Sequence, residues 1–99
     1  MRAARIDANQ PALMEEAVRA LPGLTLHSLA GVGKGFPDLI GGYKGRNYLF
    51  EVKDPANPPS KRKLNEWQEP WHAKWAGHVA RIETAAELIA NILETEITR

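Results

Sequence analysis

The stretch that decides the fold reads Gly35-Phe36-Pro37-Asp38-Leu39-Ile40 and, after six residues of turn formers and an Asn, Tyr48-Leu49-Phe50-Glu51-Val52-Lys53. Residues two apart in a strand share a face, so Glu51 and Lys53 lie on one face with Leu49. Tyr48, Phe50 and Val52 take the opposite face. Because an unpaired buried charge is costly, the pattern indicates that something binds on the charged face.

The residues between the two apolar runs predict a tight hairpin, since Gly41 to Arg46 are rich in turn formers. A two-residue turn centred on Lys44-Gly45 places Asp38 opposite Glu51, with Cβ atoms roughly 4.5–5.5 Å apart. Facing carboxylates repel unless a proton or a cation lies between them, and a hard divalent cation with oxygen ligands suits the position. A three- or five-residue loop would shift the register by one and misalign the pair.

Length and composition are those of one small globular domain, residues 1–99, with 43% hydrophobic and 25% charged residues. The absence of cysteine excludes disulfides and thiolate metal sites. No apolar run has membrane-spanning length, and the first residues lack a signal-peptide pattern. We therefore expect no membrane partner and a cytoplasmic location, in a bacterial or phage-infected cell.

The charge is unevenly distributed along the chain although the net charge is only +1. Residues 43–81 contain eight basic and four acidic side chains, a balance of +4, whereas residues 82–99 contain four glutamates and one arginine, a balance of −3. The basic part includes the charged hairpin and Lys61-Arg62-Lys63. This bias suits a polyanionic partner, and a solvated surface explains it equally well.

Periodicity and turn signals predict an α/β fold with the order α-β-β-β-α-β-α, a mixed sheet flanked by helices. The predicted elements are a helix over 11–21, a strand over 24–29, the hairpin, a helix from about 65 to 77, a strand over 78–82 and a helix from 84 to about 93. Asn9 is the expected N-cap of the first helix. Asn65 with Gln68, and Thr84 with Glu87, have the spacing of capping boxes.

Pro-Asp followed by Glu-x-Lys at the end of an apolar strand resembles the PD-(D/E)xK nuclease superfamily. Within it the chain looks closest to the virus-type replication-repair nuclease (VRR-NUC) domains. That similarity covers residues 35–82, and it rests on Gly35-Phe36-Pro37-Asp38-Leu39-Ile40, on Phe50-Glu51-Val52-Lys53 and on Leu64-Asn65-Glu66-Trp67-Gln68 leading to Ala76-Gly77. In such sites two carboxylates hold Mg²⁺ or Mn²⁺, which activates a water beside the scissile phosphate.

The resemblance implies a restriction-endonuclease-like core and a role for each matching residue. Asp38 and Glu51 would be metal ligands, assisted by the backbone carbonyl of Val52, and Lys53 would be the catalytic lysine. Gln68 would be an active-site residue. The glutamate that the family has in its first helix maps to Glu15 or Glu16; the helical pattern does not choose, and the family spacing to a following aliphatic residue favours Glu15, as a catalytic residue and a possible metal ligand.

Several residues keep more than one interpretation at this point. Gln68 can serve as the capping partner of Asn65, in the active site, or both. Trp67, Trp71 and Trp75 recur every four residues, which favours core packing, with a dimer interface or stacking on bases as alternatives. His72 lies one turn beyond Gln68, where it can border the site or be an ordinary surface histidine.

The sequence thus predicts a metal-dependent nuclease that hydrolyses DNA phosphodiester bonds, with Mg²⁺ or Mn²⁺ as cofactor. By resemblance, the substrate would be branched DNA, such as a Holliday junction or a flap, in replication or repair, and the protein would be a homodimer. The alternative is a non-catalytic nucleic-acid-binding or assembly module that retains the fold.

Overall fold

The helices and strands follow one another in the predicted order. A computed structural model describes residues 7–98 of the 99-residue chain. Its elements are α1 (Gln10–Ala20), β1 (Thr25–Ser28), β2 (Leu39–Tyr43), β3 (Arg46–Val52), α2 (Gln68–Lys74), β4 (Ala80–Ile82) and α3 (Ala85–Ile97), with one 3-10 turn over Pro59–Lys61. Within this range no helix is long and apolar enough to cross a membrane.

The four strands form one mixed sheet in the order β1-β2-β3-β4. The first two pairings are antiparallel, and β4 runs parallel to β3. A parallel pair needs a crossover connection, which residues 53–79 provide with α2 inside them. The α/β class and the element order predicted from the sequence are therefore confirmed.

The hairpin of β2 and β3 has the predicted register. Lys44 and Gly45 both have positive φ, 50° and 79°, as a two-residue hairpin turn with right-handed strand twist requires. Tyr43 consequently pairs with Arg46, and the ladder runs back to the pair Leu39 and Phe50. One step further along this register, Asp38 is level with Glu51.

The hydrophobic core lies on one face of the sheet. Tyr48, Phe50 and Val52 of β3 are at most 1% exposed and belong to it, as their alternation predicts. Two helices cover this face, α1 with Leu13 and Ala17 and α3 with Leu88 and Ile92. Leu49, Glu51 and Lys53 point the other way and are also buried, because the crossover connection covers them.

The first helix begins without the expected side-chain cap. Asn9 precedes α1, but its backbone is helical and its side chain does not bond to the helix. Instead its Nδ2 donates to the backbone carbonyls of Lys53 and Glu83, at 3.2 Å each. Asn9 is therefore the N-cap by position, as predicted, but it makes no side-chain capping bond and instead ties the start of α1 to the ends of β3 and β4.

The predicted capping box of Asn65 and Gln68 forms, whereas that of Thr84 and Glu87 forms only in part, because Glu87 Oε1 accepts from the Glu83 N–H and not from the Thr84 N–H. Asn65 Oδ1 accepts from the Gln68 N–H, and Gln68 Oε1 accepts from the Asn65 N–H, both at 2.9 Å. In α3, Thr84 Oγ1 accepts from the Glu87 N–H at 3.1 Å, and the helix continues one turn past its predicted end, to Ile97. Strand β4 starts later than predicted, because the His78 ring rather than its backbone accepts the Leu49 N–H.

The tryptophan stripe does not pack in the core, so the favoured interpretation was wrong. Helix α2 ends at Lys74 and contains no buried residue. Trp67 is 62% exposed and Trp75 43% exposed. The core is already filled by α1 and α3 on the other face of the sheet. Helix α2 is left to pack through Trp71, whose ring meets that of Phe36 edge to face at 5.1 Å.

Candidate active site

Asp38 is held just before β2 by hydrogen bonds to β3 and to Leu29, the residue that follows β1. Its carbonyl accepts from the Leu29 N–H at 2.7 Å, and its N–H donates to the Phe50 carbonyl at 3.0 Å. Oδ2 of its side chain accepts a hydrogen bond from the Val52 N–H at 2.8 Å. These contacts aim the carboxylate across β3 at Glu51, and the two carboxyl groups come within hydrogen-bonding reach.

Glu51 is an acid in an environment that disfavours its charge. Glu51 is 3% exposed, and its Oε1 is buried without a hydrogen-bond donor among residues 7–98. Burial, followed by the hydrogen bond and charge of Asp38, raises the pKa of Glu51 to about 9. The ammonium of Lys53, 3.9 Å from Oε2, opposes this rise only in part. Near neutral pH the pair therefore holds a proton, or a cation in its place.

Gln68 connects the acid to the lysine. Its Nε2 donates to Glu51 Oε2, and its Oε1 accepts from Lys53 Nζ, both at 2.8 Å. The same Oε1 accepts the Asn65 N–H of the capping box. Both interpretations of Gln68 are therefore realised: one amide starts α2 and orients two buried charged groups.

Gly35 brings the loop before Asp38 against the start of α2. Its φ is +84°, in the region that side-chain-bearing residues rarely adopt, and a Cβ there would overlap the backbone carbonyl of Trp67. The absence of a side chain lets the loop approach closely enough to place Asp38 and Gln68 in one site.

Asp7 is a member of the site that sequence reasoning missed. Burial, and then the charge of Asp38, raise the pKa of its carboxyl, and Asp7 in turn contributes to the raised pKa of Glu51. The turn before α1 places it there, through the anchoring of Asn9. Its one sequence signal is an acid just ahead of a helix, which commonly serves only the helix dipole.

Glu15 is not brought to this group. Its side chain is 77% exposed and accepts a 2.9 Å hydrogen bond from Arg19, one turn along α1. Glu16 is exposed as well. The catalytic role that the resemblance implies for Glu15 stays a prediction, whereas the acid whose charge interacts with Asp38 and Glu51 is Asp7, in the turn before α1.

His72 borders the site. Burial, followed by the charge of Lys53, lowers the pKa of its imidazole, and Asp38 opposes the change. Its Nε2 is buried without a hydrogen-bond partner among residues 7–98.

In the basic run Lys61-Arg62-Lys63, Arg62 pairs with Glu83 at 3.5 Å, while Lys61 and Lys63 are exposed.

A cleft of about 520 Å³ opens beside the cluster. One wall is the loop over 29–38, and the other is the segment over 65–68 at the start of α2. Asp38 and Gln68 both line it, so a molecule in the cleft reaches the site directly.

The oxygens present suit a hard divalent cation. Asp38 and Glu51 supply carboxylates, and Glu51 Oε1 is buried without a hydrogen-bond donor among residues 7–98. Burial and Asp38 raise the pKa of Glu51, and the charge of a cation would oppose that rise. Among residues 7–98, no three His, Cys, Asp or Glu side chains form a group that could hold a metal ion. A cation here would therefore need backbone carbonyl or water oxygens besides the two carboxylates, and the use of the Val52 carbonyl stays a prediction.

The fold and the site define an α/β domain with a partly buried carboxylate, a buried carboxyl group, a buried lysine and a glutamine beside one face of a mixed sheet. No family model, curated protein or solved structure matches this chain.

Proposed function

We propose that this chain is a metal-dependent nuclease with a restriction-endonuclease-like core of the PD-(D/E)xK type, similar to VRR-NUC domains. The observation that carries the proposal is the cluster of Asp38, Glu51, Lys53 and Gln68, in which Glu51 and Lys53 are buried and Asp38 and Gln68 are partly buried. A fold does not need two carboxyl groups in contact on a buried face, since the crowding destabilises their charged forms. A site that binds a cation beside a phosphate does need them.

Asp38 and Glu51, with the Val52 carbonyl, would hold the cation. Bound Mg²⁺ or Mn²⁺ would supply charge for the phosphoryl oxygens and acidify a water. Lys53 is a buried ammonium whose direction is set by Gln68, so it can orient the attacking water or donate to the phosphoryl oxygens as charge builds on them. A cation held there would take the place of the Glu51 proton, because its positive charge would offset the repulsion between the Glu51 and Asp38 carboxylates.

The preferred substrate is proposed as DNA, branched at a junction or a flap, and the active species as a homodimer. Both come from the resemblance, and the +4 balance of residues 43–81 supports a polyanionic substrate. Sedimentation of the purified protein tests the dimer, for which a single monomeric species at high concentration would be the contrary result.

Labelled linear, flap and four-way-junction DNAs, incubated with Mg²⁺ or Mn²⁺, test the activity. We expect cleavage that stops in chelator, and a loss of at least about 100-fold in Asp38→Asn and in Lys53→Ala. Glu94→Gln, which changes an exposed acid on α3, is the matched control and should cleave normally. A circular dichroism melt shows that each variant is folded.

Cleavage that is indifferent to Lys53→Ala would contradict the proposed mechanism. Tight DNA binding that is equal in chelator and in metal, with no cleavage of any substrate, would instead identify the non-catalytic binding module.

A further inference from the structure

Trp67 offers an aromatic surface that the fold does not use. The rings of Trp71 and Trp75 stack on each other at 4.7 Å, and Trp71 also meets Phe36. Trp67 is 62% exposed, and within residues 7–98 its ring contacts no other ring and its indole N–H donates to no acceptor. An exposed, unstacked tryptophan is available to a ligand.

The position of Trp67 connects this surface to the site. The residue lines the 520 Å³ cleft, together with Asp38 and Gln68. A volume of this size lies in the range of pockets that hold small organic ligands. A planar group that stacks on Trp67 would therefore lie next to the carboxylate pair.

The opposite wall of the cleft favours a negative charge. Lys34 lines it, is exposed and has no acidic partner among residues 7–98. The residue has a φ of 57°, between Gly33 and Gly35, which also have positive φ. In the described part of the chain, the backbone N–H groups of Gly31, Gly33 and Lys34 donate to no acceptor. This wall thus combines a free ammonium with free backbone donors, which suits a phosphate.

We propose that the cleft binds one unpaired nucleotide of the substrate, with its base stacked on Trp67 and its phosphate beside Lys34. The inference rests on the proposed nuclease function, and it narrows the substrate to nucleic acid with an unpaired segment next to the cut: a single strand, a flap or a gap. A base inside a continuous duplex is stacked on both faces and paired along one edge, so it reaches the ring only at the cost of being flipped out of the helix.

Binding in chelator tests the inference without any cleavage. The probes are a fluorescein-labelled oligothymidine of about 12 nucleotides and a blunt duplex of equal length, measured by fluorescence anisotropy. We expect Trp67→Ala to weaken single-strand binding about tenfold or more, to leave duplex binding within about twofold, and Trp67→Phe to retain most of the affinity. Lys34→Ala should weaken binding and lower the salt dependence by about one released counterion.

Trp75→Ala is the matched control. This residue is also exposed and lies one residue past the end of α2, but it does not line the cleft, so single-strand binding should be unchanged. An equal loss in Trp75→Ala, an equal loss on the duplex, or full single-strand affinity in Trp67→Ala would each overturn the nucleotide site.

The two proposals fail separately. If single-strand binding depends on Trp67 but the protein cleaves no substrate in Mg²⁺ or Mn²⁺, the nuclease proposal is contradicted and the nucleotide site is supported. If Trp67→Ala leaves metal-dependent cleavage of single-stranded and flap substrates unchanged, the nuclease proposal is supported and the nucleotide site is contradicted.

Discussion

Gln68 Nε2 donates a 2.8 Å hydrogen bond to Oε2 of Glu51, and this contact joins the first turn of α2 to the buried end of β3. Helix α2 has no buried residue of its own. Its place over the sheet is instead set by the polar contacts of Gln68, the packing of Gly35 against Trp67 and the Phe36–Trp71 ring contact. The site and the crossover helix therefore depend on each other.

Replacing Gln68 should affect both stability and activity. Gln68→Ala removes the capping partner and leaves Glu51 and Lys53 without their shared amide, so we expect a stability loss of about 1–2 kcal/mol. Cleavage should fall about 10- to 100-fold, as for a residue that orients metal ligands. Thr84→Ala, which removes the cap of α3, is the control: it should cost similar stability and leave single-turnover cleavage unchanged. Equal cleavage losses in the two variants would show that Gln68 acts only as a cap.

The metal-free protein should become less stable as the pH rises. Glu51 keeps its proton in the folded state up to about pH 9, whereas its ordinary pKa is 4.5. The stability from this group is therefore full below pH 4.5 and is lost between 4.5 and about 9, since the unfolded chain binds fewer protons there. The raised pKa of Asp7 acts in the same direction.

Calorimetric melts in chelator between about pH 5 and 9 measure this effect, and Glu51→Gln should flatten the profile. Added Mn²⁺ competes with the proton, so its stabilising effect should grow with pH. A Mn²⁺ effect that is constant across the range would place the cation away from Glu51.

Gly35 should not tolerate even a methyl group. Gly35→Ala forces the positive φ on alanine and pushes the Trp67 carbonyl away, which would displace Asp38 relative to Gln68. We expect cleavage to fall about 100-fold, as for a misplacement of about 1 Å in an active site. Gly45→Ala shares the positive φ but has open space around it, so it should cost about 1–2 kcal/mol of stability and preserve cleavage. Normal cleavage by Gly35→Ala would mean that the loop relaxes without moving the site.

Asp7 rather than Glu15 should support metal binding. Asp7→Asn removes a charge that interacts with both Asp38 and Glu51, and we expect Mn²⁺ affinity to fall about tenfold in a calorimetric titration. Glu15→Gln breaks only an exposed pair with Arg19, at a cost of about 0.3–0.5 kcal/mol, and should bind the metal normally. The reverse result would restore the assignment that the family resemblance implies.

Much of the site could be predicted from the sequence because its members lie close together along the chain. The turn at Lys44-Gly45 sets the hairpin register, and strand alternation puts Glu51 and Lys53 on one face. The spacing of Asn65 and Gln68 predicts their capping box. Each of these relations acts over a few residues.

Asp7 and the tryptophans show where sequence reasoning ended. The chain near Asp7 is held by hydrogen bonds from Asn9 to Lys53 and Glu83, 44 and 74 residues away, and no local pattern encodes such contacts. The spacing of Trp67, Trp71 and Trp75 is the same on a core helix and on a surface helix. Whether these tryptophans pack in the core or stay at the surface depends on whether other helices have already filled the core.

The element order, the register that sets Asp38 against Glu51, and the caps at Asn65 and Thr84 follow from the sequence alone, because turn dihedrals, strand alternation and capping hydrogen bonds are short-range. Only the tertiary structure decided which acid joins Asp38 and Glu51 and which tryptophan stays exposed. Both depend on the burial of α1 and α3 against one face of the sheet. That packing anchors the turn at Asp7 beside the site and leaves Trp67 at the cleft.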